Sequence, residues 1–94
     1  MNKNPTILLV EDERPLIEAI KSKLDLNGLD SVSARTVNQA IDYMESLERV
    51  DLIWLDHYLL GKEDGLDFVT KIKKEDKWKH IPIFVVSNTA TADK

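Results

Sequence analysis

Cysteine is absent from this 94-residue chain, which excludes disulfides and thiolate metal sites and permits a reducing compartment. Glycine and proline occur three times each, too sparsely for a linker or low-complexity segment, and no internal repeat is visible. A basic excess is missing too: 13 Lys and Arg face 17 Asp and Glu, for a net charge of −4. That balance argues against non-specific binding to nucleic acid, and the interspersed signs read as solvated helix faces. No apolar run approaches membrane-spanning length, and Met1-Asn2-Lys3-Asn4-Pro5 carries no apolar leader core. The expectation is one soluble, cytoplasmic domain over 1–94, near the small end for an α/β fold.

What is present is organised around Asp51-Leu52-Ile53-Trp54-Leu55-Asp56. Four consecutive apolar residues without alternation read as a strand buried on both faces. The strand ends on a carboxylate, at the sheet edge where open α/β folds bind ligands. Taken alone, Asp56 is as well explained by the preference of Asp for turns.

Thr6-Ile7-Leu8-Leu9-Val10 is a second buried strand and also ends on acid: Glu11, Asp12 and Glu13. Asp12 or Glu13 can cap the helix that follows, with Pro15 in its first turn and Leu16, Ile17, Ile20 and Leu24 at helical spacing. Asn27-Gly28 supplies the stop. Leu29 to Ala34 is a shorter, more polar strand. Thr36-Val37-Asn38-Gln39 fits a capping box ahead of a helix whose apolar face is Val37, Ala40, Ile41, Met44 and Leu47. After the central strand, Asp64 is placed to cap a third helix with Leu66, Val69 and Ile72 inward. Ile81 to Val86 is a fourth strand, with Pro82 admissible only at its beginning. Ala90 to Lys94 reads as the opening turn of another helix. Trp54 reads as core, and Trp78 as half-exposed packing at a helix end.

Strands alternating with helices imply a doubly wound parallel sheet, for which the flavodoxin-like order 2-1-3-4 is the expectation. In that order Glu11, Asp12 and Asp56 converge at one sheet edge. Two carboxylates about 4 Å apart repel by roughly 4 kcal/mol at an effective dielectric of about 20. Mg²⁺ would relieve that cost, and Ser87, at the end of the adjacent strand, could donate to a phosphoryl oxygen. A nucleophilic Asp, an acidic Mg²⁺ site and a hydroxyl are the parts needed to form an aspartyl phosphate. His57 and His80 are too isolated for zinc, and Gly61 and Gly65 make no phosphate-cradling loop.

Four stretches, in order, resemble the response-regulator receiver domain of two-component signalling. They are Ile7 to Glu13, Asp51 to Asp56, Asp64-Gly65-Leu66, and Ile81 to Ser87. The resemblance implies that Asp56 is the phosphoacceptor, Glu11 and Asp12 the acidic pair serving Mg²⁺, and Ser87 the phosphoryl-binding hydroxyl. It implies that the Tyr58 backbone carbonyl is a metal ligand. It also implies a histidine kinase or phosphotransfer protein as partner, and a signalling module rather than an enzyme.

Some positions depart from the family. Leu60 stands where proline is common, Gly65 comes one residue later than usual, and Asn88 replaces a small residue. A complete receiver continues through a fifth βα unit carrying a lysine and a switch aromatic, and no counterpart lies within 1–94. The expectation is therefore a receiver incomplete at its C-terminus, with the fourth strand as an open edge that pairs in a homodimer or swapped oligomer. Two rivals remain. One is a degenerate receiver kept as an interaction module. The other is a haloacid-dehalogenase-type phosphatase, which needs a second Asp two residues beyond the nucleophile, where this chain has Tyr58.

Overall fold

The computed structural model describes residues 4–61 and 63–87. Asn88 and the segment Ala90 to Lys94 lie outside the described residues. The elements are β1 (Thr6–Val10), α1 (Arg14–Leu26), β2 (Asp30–Ala34), α2 (Val37–Ser46), β3 (Leu52–Asp56), α3 (His57–Leu60), α4 (Glu63–Lys74) and β4 (Ile83–Val86). The four strands form one parallel sheet in the order β2-β1-β3-β4, as the sequence pattern implied.

The two continuous apolar runs are the two central strands. Leu8, Leu9, Val10, Ile53 and Leu55 are fully buried, because helices cover both faces of a parallel sheet. Asp51 joins these strands at their entry. Its carboxylate accepts the Thr6 backbone N–H at 2.8 Å, while the Thr6 carbonyl accepts the Asp51 N–H at 2.8 Å. With Arg49 also bonded at 2.9 Å, these partners hold the Asp51 carboxyl below its ordinary pKa, the Thr6 N–H being the largest cause.

Helix ends follow local chemistry. At the end of α1, Gly28 takes a φ of 76°, donates to Asp25, and lets Leu29 reach back to the Leu24 carbonyl, which is a Schellman stop. The capping box on α2 is formed: Thr36 Oγ1 accepts from the Gln39 N–H at 3.1 Å, and the Gln39 amide accepts from the Arg35 N–H at 2.7 Å. Glu13 is the N-cap residue of α1, but its side chain makes no capping bond.

Three expectations are corrected. The helix assigned to an Asp64 cap begins at Glu63, so Asp64 lies within it, and the extra helix α3 precedes it. Leu66 faces outward at 57% exposure, whereas Phe68 is 1% exposed and belongs to the core. The rotation has a steric cause: a Cβ at Gly65 would stand 1.9 Å from the Leu59 carbonyl oxygen and 2.9 Å from the Leu60 Cα. Helix α4 therefore turns Gly65 onto the backbone of α3, and Phe68 and Ile72, three and seven residues on, follow it into the core. Trp78 is likewise buried. The turn that carries it folds back through Trp78 and Lys79 N–H bonds to the Glu75 carbonyl, and the Lys77 ammonium lies 4.9 Å from the indole centroid.

Gly65→Ala should destabilise the domain by about 1–3 kcal/mol, since the added methyl meets backbone that cannot rotate away. Urea denaturation followed by circular dichroism measures this. A loss below about 0.5 kcal/mol would mean that α4 slides freely on α3.

Candidate functional site

The site is built by register. Val10 pairs with Leu55 across the β1–β3 ladder, so Glu11 and Asp56, the next residue on each strand, emerge side by side at the carboxyl edge. Asp56 also pairs with Val86 of β4, which puts Ser87 beside it from the other flank. Glu11, Asp56 and Ser87 line a small cleft of about 110 Å³, together with Leu16, Ile20, Trp54 and Val86. Both carboxylates are buried, Glu11 at 2% exposure and Asp56 at 6%, while Ser87 is exposed.

Each buried carboxylate is held by backbone. Asp56 Oδ2 accepts the N–H groups of Tyr58 at 3.1 Å and Leu59 at 3.3 Å, capping α3. The reading of Asp56 as a turn former is therefore realised, at the same sheet edge where the sequence placed a candidate site. Glu11 Oε2 accepts the Glu13 N–H at 3.0 Å. Burial raises the Glu11 pKa above the ordinary glutamate range; the Glu13 N–H opposes this, and the charges of Asp56, Asp12 and Glu13 add to it.

Asp12 is exposed and lies outside the cleft lining, and its backbone carbonyl accepts from the Arg35 guanidinium at 3.1 and 3.4 Å. Tyr58 sits within α3; its carbonyl lies 3.5 Å from the position of a Cβ on Gly61, further along the same turn. The expected carboxylate trio is thus only partly assembled, and no three Asp, Glu or His side chains among the described residues are grouped to hold an ion. The donor chemistry itself suits a hard dication. Two buried carboxylates flank an acidic loop, and Glu11 is penalised for its charge by its neighbours, which a cation would relieve.

Residues missed as part of the site are apolar: Leu16, Ile20 and Val86, with the half-buried Trp54, wall the cleft. Their signal was position alone, one strand end and one helix face beside the acids. His57 is exposed at the start of α3.

Glu11→Gln supplies a test of the burial cost. A raised folded pKa means that the glutamate contributes most below its unfolded value, roughly 4.3, and that this contribution is lost as pH rises through the folded value. The variant should therefore gain stability relative to the natural chain between pH 4 and 8. Urea midpoints at both pH values measure it, and an unchanged difference would contradict the assigned cause.

The profile of the response regulator receiver domain matches residues 7–94. The PhoB phosphate regulon regulator of Escherichia coli is 33% identical over 81 residues, covering 86% of this chain and 34% of that protein. The CpxR transcriptional regulator of the same organism is 32% identical over 74 residues, covering 79% and 29%. The chain thus spans about a third of the length of these relatives. Among solved structures, a response regulator receiver protein from Pseudomonas putida superposes with a TM-score of 0.78 at 26% identity, over 98% of this chain and 77% of that one. The phosphorylated cyanobacterial phytochrome response regulator RcpA gives 0.77 at 31% identity, over 96% and 69%. With its 2-1-3-4 sheet and acids at the β1 and β3 edges, this chain belongs to the response regulator receiver domain family of two-component signalling.

Proposed function

We propose that the domain accepts a phosphoryl group on Asp56 from the phosphohistidine of a histidine kinase or phosphotransfer protein. The observation that carries this is the cleft in which Glu11, Asp56 and Ser87 meet at the edge of the parallel sheet. The Tyr58 and Leu59 N–H groups both bond Asp56 through Oδ2. In the transfer, an Asp56 oxygen attacks phosphorus as the P–N bond to imidazole breaks. The imidazole nitrogen leaves with the bonding pair and takes a proton from solvent. Ser87 donates its hydroxyl to a phosphoryl oxygen of the product. Mg²⁺, when bound, supplies charge neutralisation to the phosphoryl oxygens; Glu11, Asp12 and Asp56 would hold it, with the Tyr58 carbonyl as a fourth donor. The domain is a stoichiometric acceptor rather than an enzyme, and the acyl phosphate shifts it between conformations. The phosphorylated state of RcpA supports this reading.

A second reading, an interaction module with poor phosphorylation, is favoured by one observation. The described cleft lining contains no cationic side chain to offset a phosphoryl group. Incubation with radiolabelled acetyl phosphate and Mg²⁺ separates the two. Labelling should appear on Asp56, vanish in Asp56→Asn, and slow about tenfold in Ser87→Ala, the equivalent of one hydrogen bond. Absence of label on the natural chain would leave the interaction module standing.

Self-association is also proposed, on the contrast between the two sheet edges. The β2 edge carries Asp30 and two serines, and Lys21 Nζ occupies the Ser31 carbonyl at 3.0 Å. The β4 strand, Ile83-Phe84-Val85-Val86, has no charge, and Phe84 is 57% exposed. An apolar edge without a charged guard is a template for strand pairing. A homodimer or swapped oligomer through β4 is expected at micromolar concentration. Light scattering coupled to chromatography tests it, and Val85→Lys should shift the population towards monomer. A monomeric natural chain would remove the proposal.

A further inference from the structure

The acidic loop between β1 and α1 is tied from the β2 side by one cation that the proposed chemistry leaves unused. Arg35 directs both Nε and Nη2 onto the backbone carbonyl of Asp12, at 3.4 and 3.1 Å. Its own backbone is fixed in turn, since its N–H donates to Gln39 within the capping box of α2. One residue earlier, the Ala34 carbonyl accepts the Glu11 N–H at 3.0 Å. Ala34 and Arg35 together therefore hold two successive residues of the acid loop, Glu11 through its N–H and Asp12 through its carbonyl. The loop needs holding. Glu11, Asp12 and Glu13 are consecutive acids, and Glu11 lies buried beside Asp56 in the same cleft. Repulsion of that kind favours splaying, and the planar guanidinium fork opposes it by geometry as well as by charge.

We infer that Arg35 is a positioning residue of the site: it fixes the Asp12 backbone and so holds the acid loop in the path that keeps Glu11 beside Asp56 for a shared cation. The inference rests on the phosphoacceptor reading and adds a residue that acts through another. It makes a prediction opposite in sign to simple electrostatics. An arginine that acted only as a nearby positive charge would repel a dication, and its removal would tighten Mg²⁺ binding. An arginine that orders the ligands would weaken binding when lost.

The experiment titrates the full chain with MgCl₂, following the fluorescence of Trp54, which lines the cleft, and checks the affinity by calorimetry. Arg35→Ala should weaken Mg²⁺ binding about three- to tenfold. Arg35→Lys, which keeps the charge but loses the fork, should fall between the two. Amide exchange of Glu13, measured without Mg²⁺, should accelerate in Arg35→Ala, while circular dichroism and urea midpoints stay near those of the natural chain. Mg²⁺ binding by Arg35→Ala as tight as, or tighter than, that of the natural chain overturns the inference and leaves the phosphoacceptor reading intact. Failure of the natural chain to bind Mg²⁺ overturns the metal-dependent reading and this inference with it.

Discussion

The pairing of β1 with β3 is the constraint on which the rest of this domain depends. Parallel pairing in the register Val10 to Leu55 brings the carboxyl ends of the two most hydrophobic strands level. Any acid that follows both strands must then share one crevice. Glu11 and Asp56 do so while almost wholly buried, an arrangement that like charges and desolvation both oppose. The fold tolerates it because each carboxylate accepts backbone N–H groups, from Glu13 in one case and from Tyr58 and Leu59 in the other. Both carboxylates are thus anchored by the turn that follows their own strand.

Much of this was legible in the sequence, for identifiable reasons. Uninterrupted apolar runs distinguish two-face-buried strands from half-buried ones, so β1 and β3 declared themselves. The capping box at Thr36 and the stop at Gly28 are local chemistry that tertiary packing had no reason to override. The site followed from topology, since strand order alone decides which loops meet. Errors occurred where a helix's rotation depended on a contact invisible in one dimension. Leu66 and Phe68 are both apolar and only two residues apart, and periodicity alone could place either inward. What decides is Gly65, pressed onto the α3 backbone, and α3 itself was hidden because four residues are too few to show a period. Trp78 was misread for a related reason. Its place at a helix end suggested half-exposed packing, yet a lysine stem can lie along a buried indole while its ammonium stays wet.

The two faces of the site loop differ in what holds them. On the α3 side the tether is the Asp56 carboxylate itself, which caps the adjacent turn. On the α1 side the tether comes from outside the loop, through Arg35 and the capping box of α2. The Glu13 side chain lends no capping bond to α1, although its carbonyl accepts the Ile17 N–H at 3.0 Å, so β2 and α2 add to the order that the helix gives the acid loop.

The sheet also shows how a carboxylate at one end differs in kind from a carboxylate at the other. Asp51, at the entry of β3, accepts the Thr6 N–H and pairs with Arg49, and these partners lower its pKa. Its ionised form is the stabilised one, so its contribution is present above the ordinary aspartate value and is lost as pH falls through the folded value. Glu11, at the exit of β1, is shifted the other way, because burial and three neighbouring acids outweigh its single backbone donor. Ionisation of Asp51 supports the fold, whereas ionisation of Glu11 is a cost the fold carries. A structural carboxylate is recognised by partners that match its charge. A carboxylate buried beside other acids at the carboxyl edge of a parallel sheet is instead a candidate for a functional site.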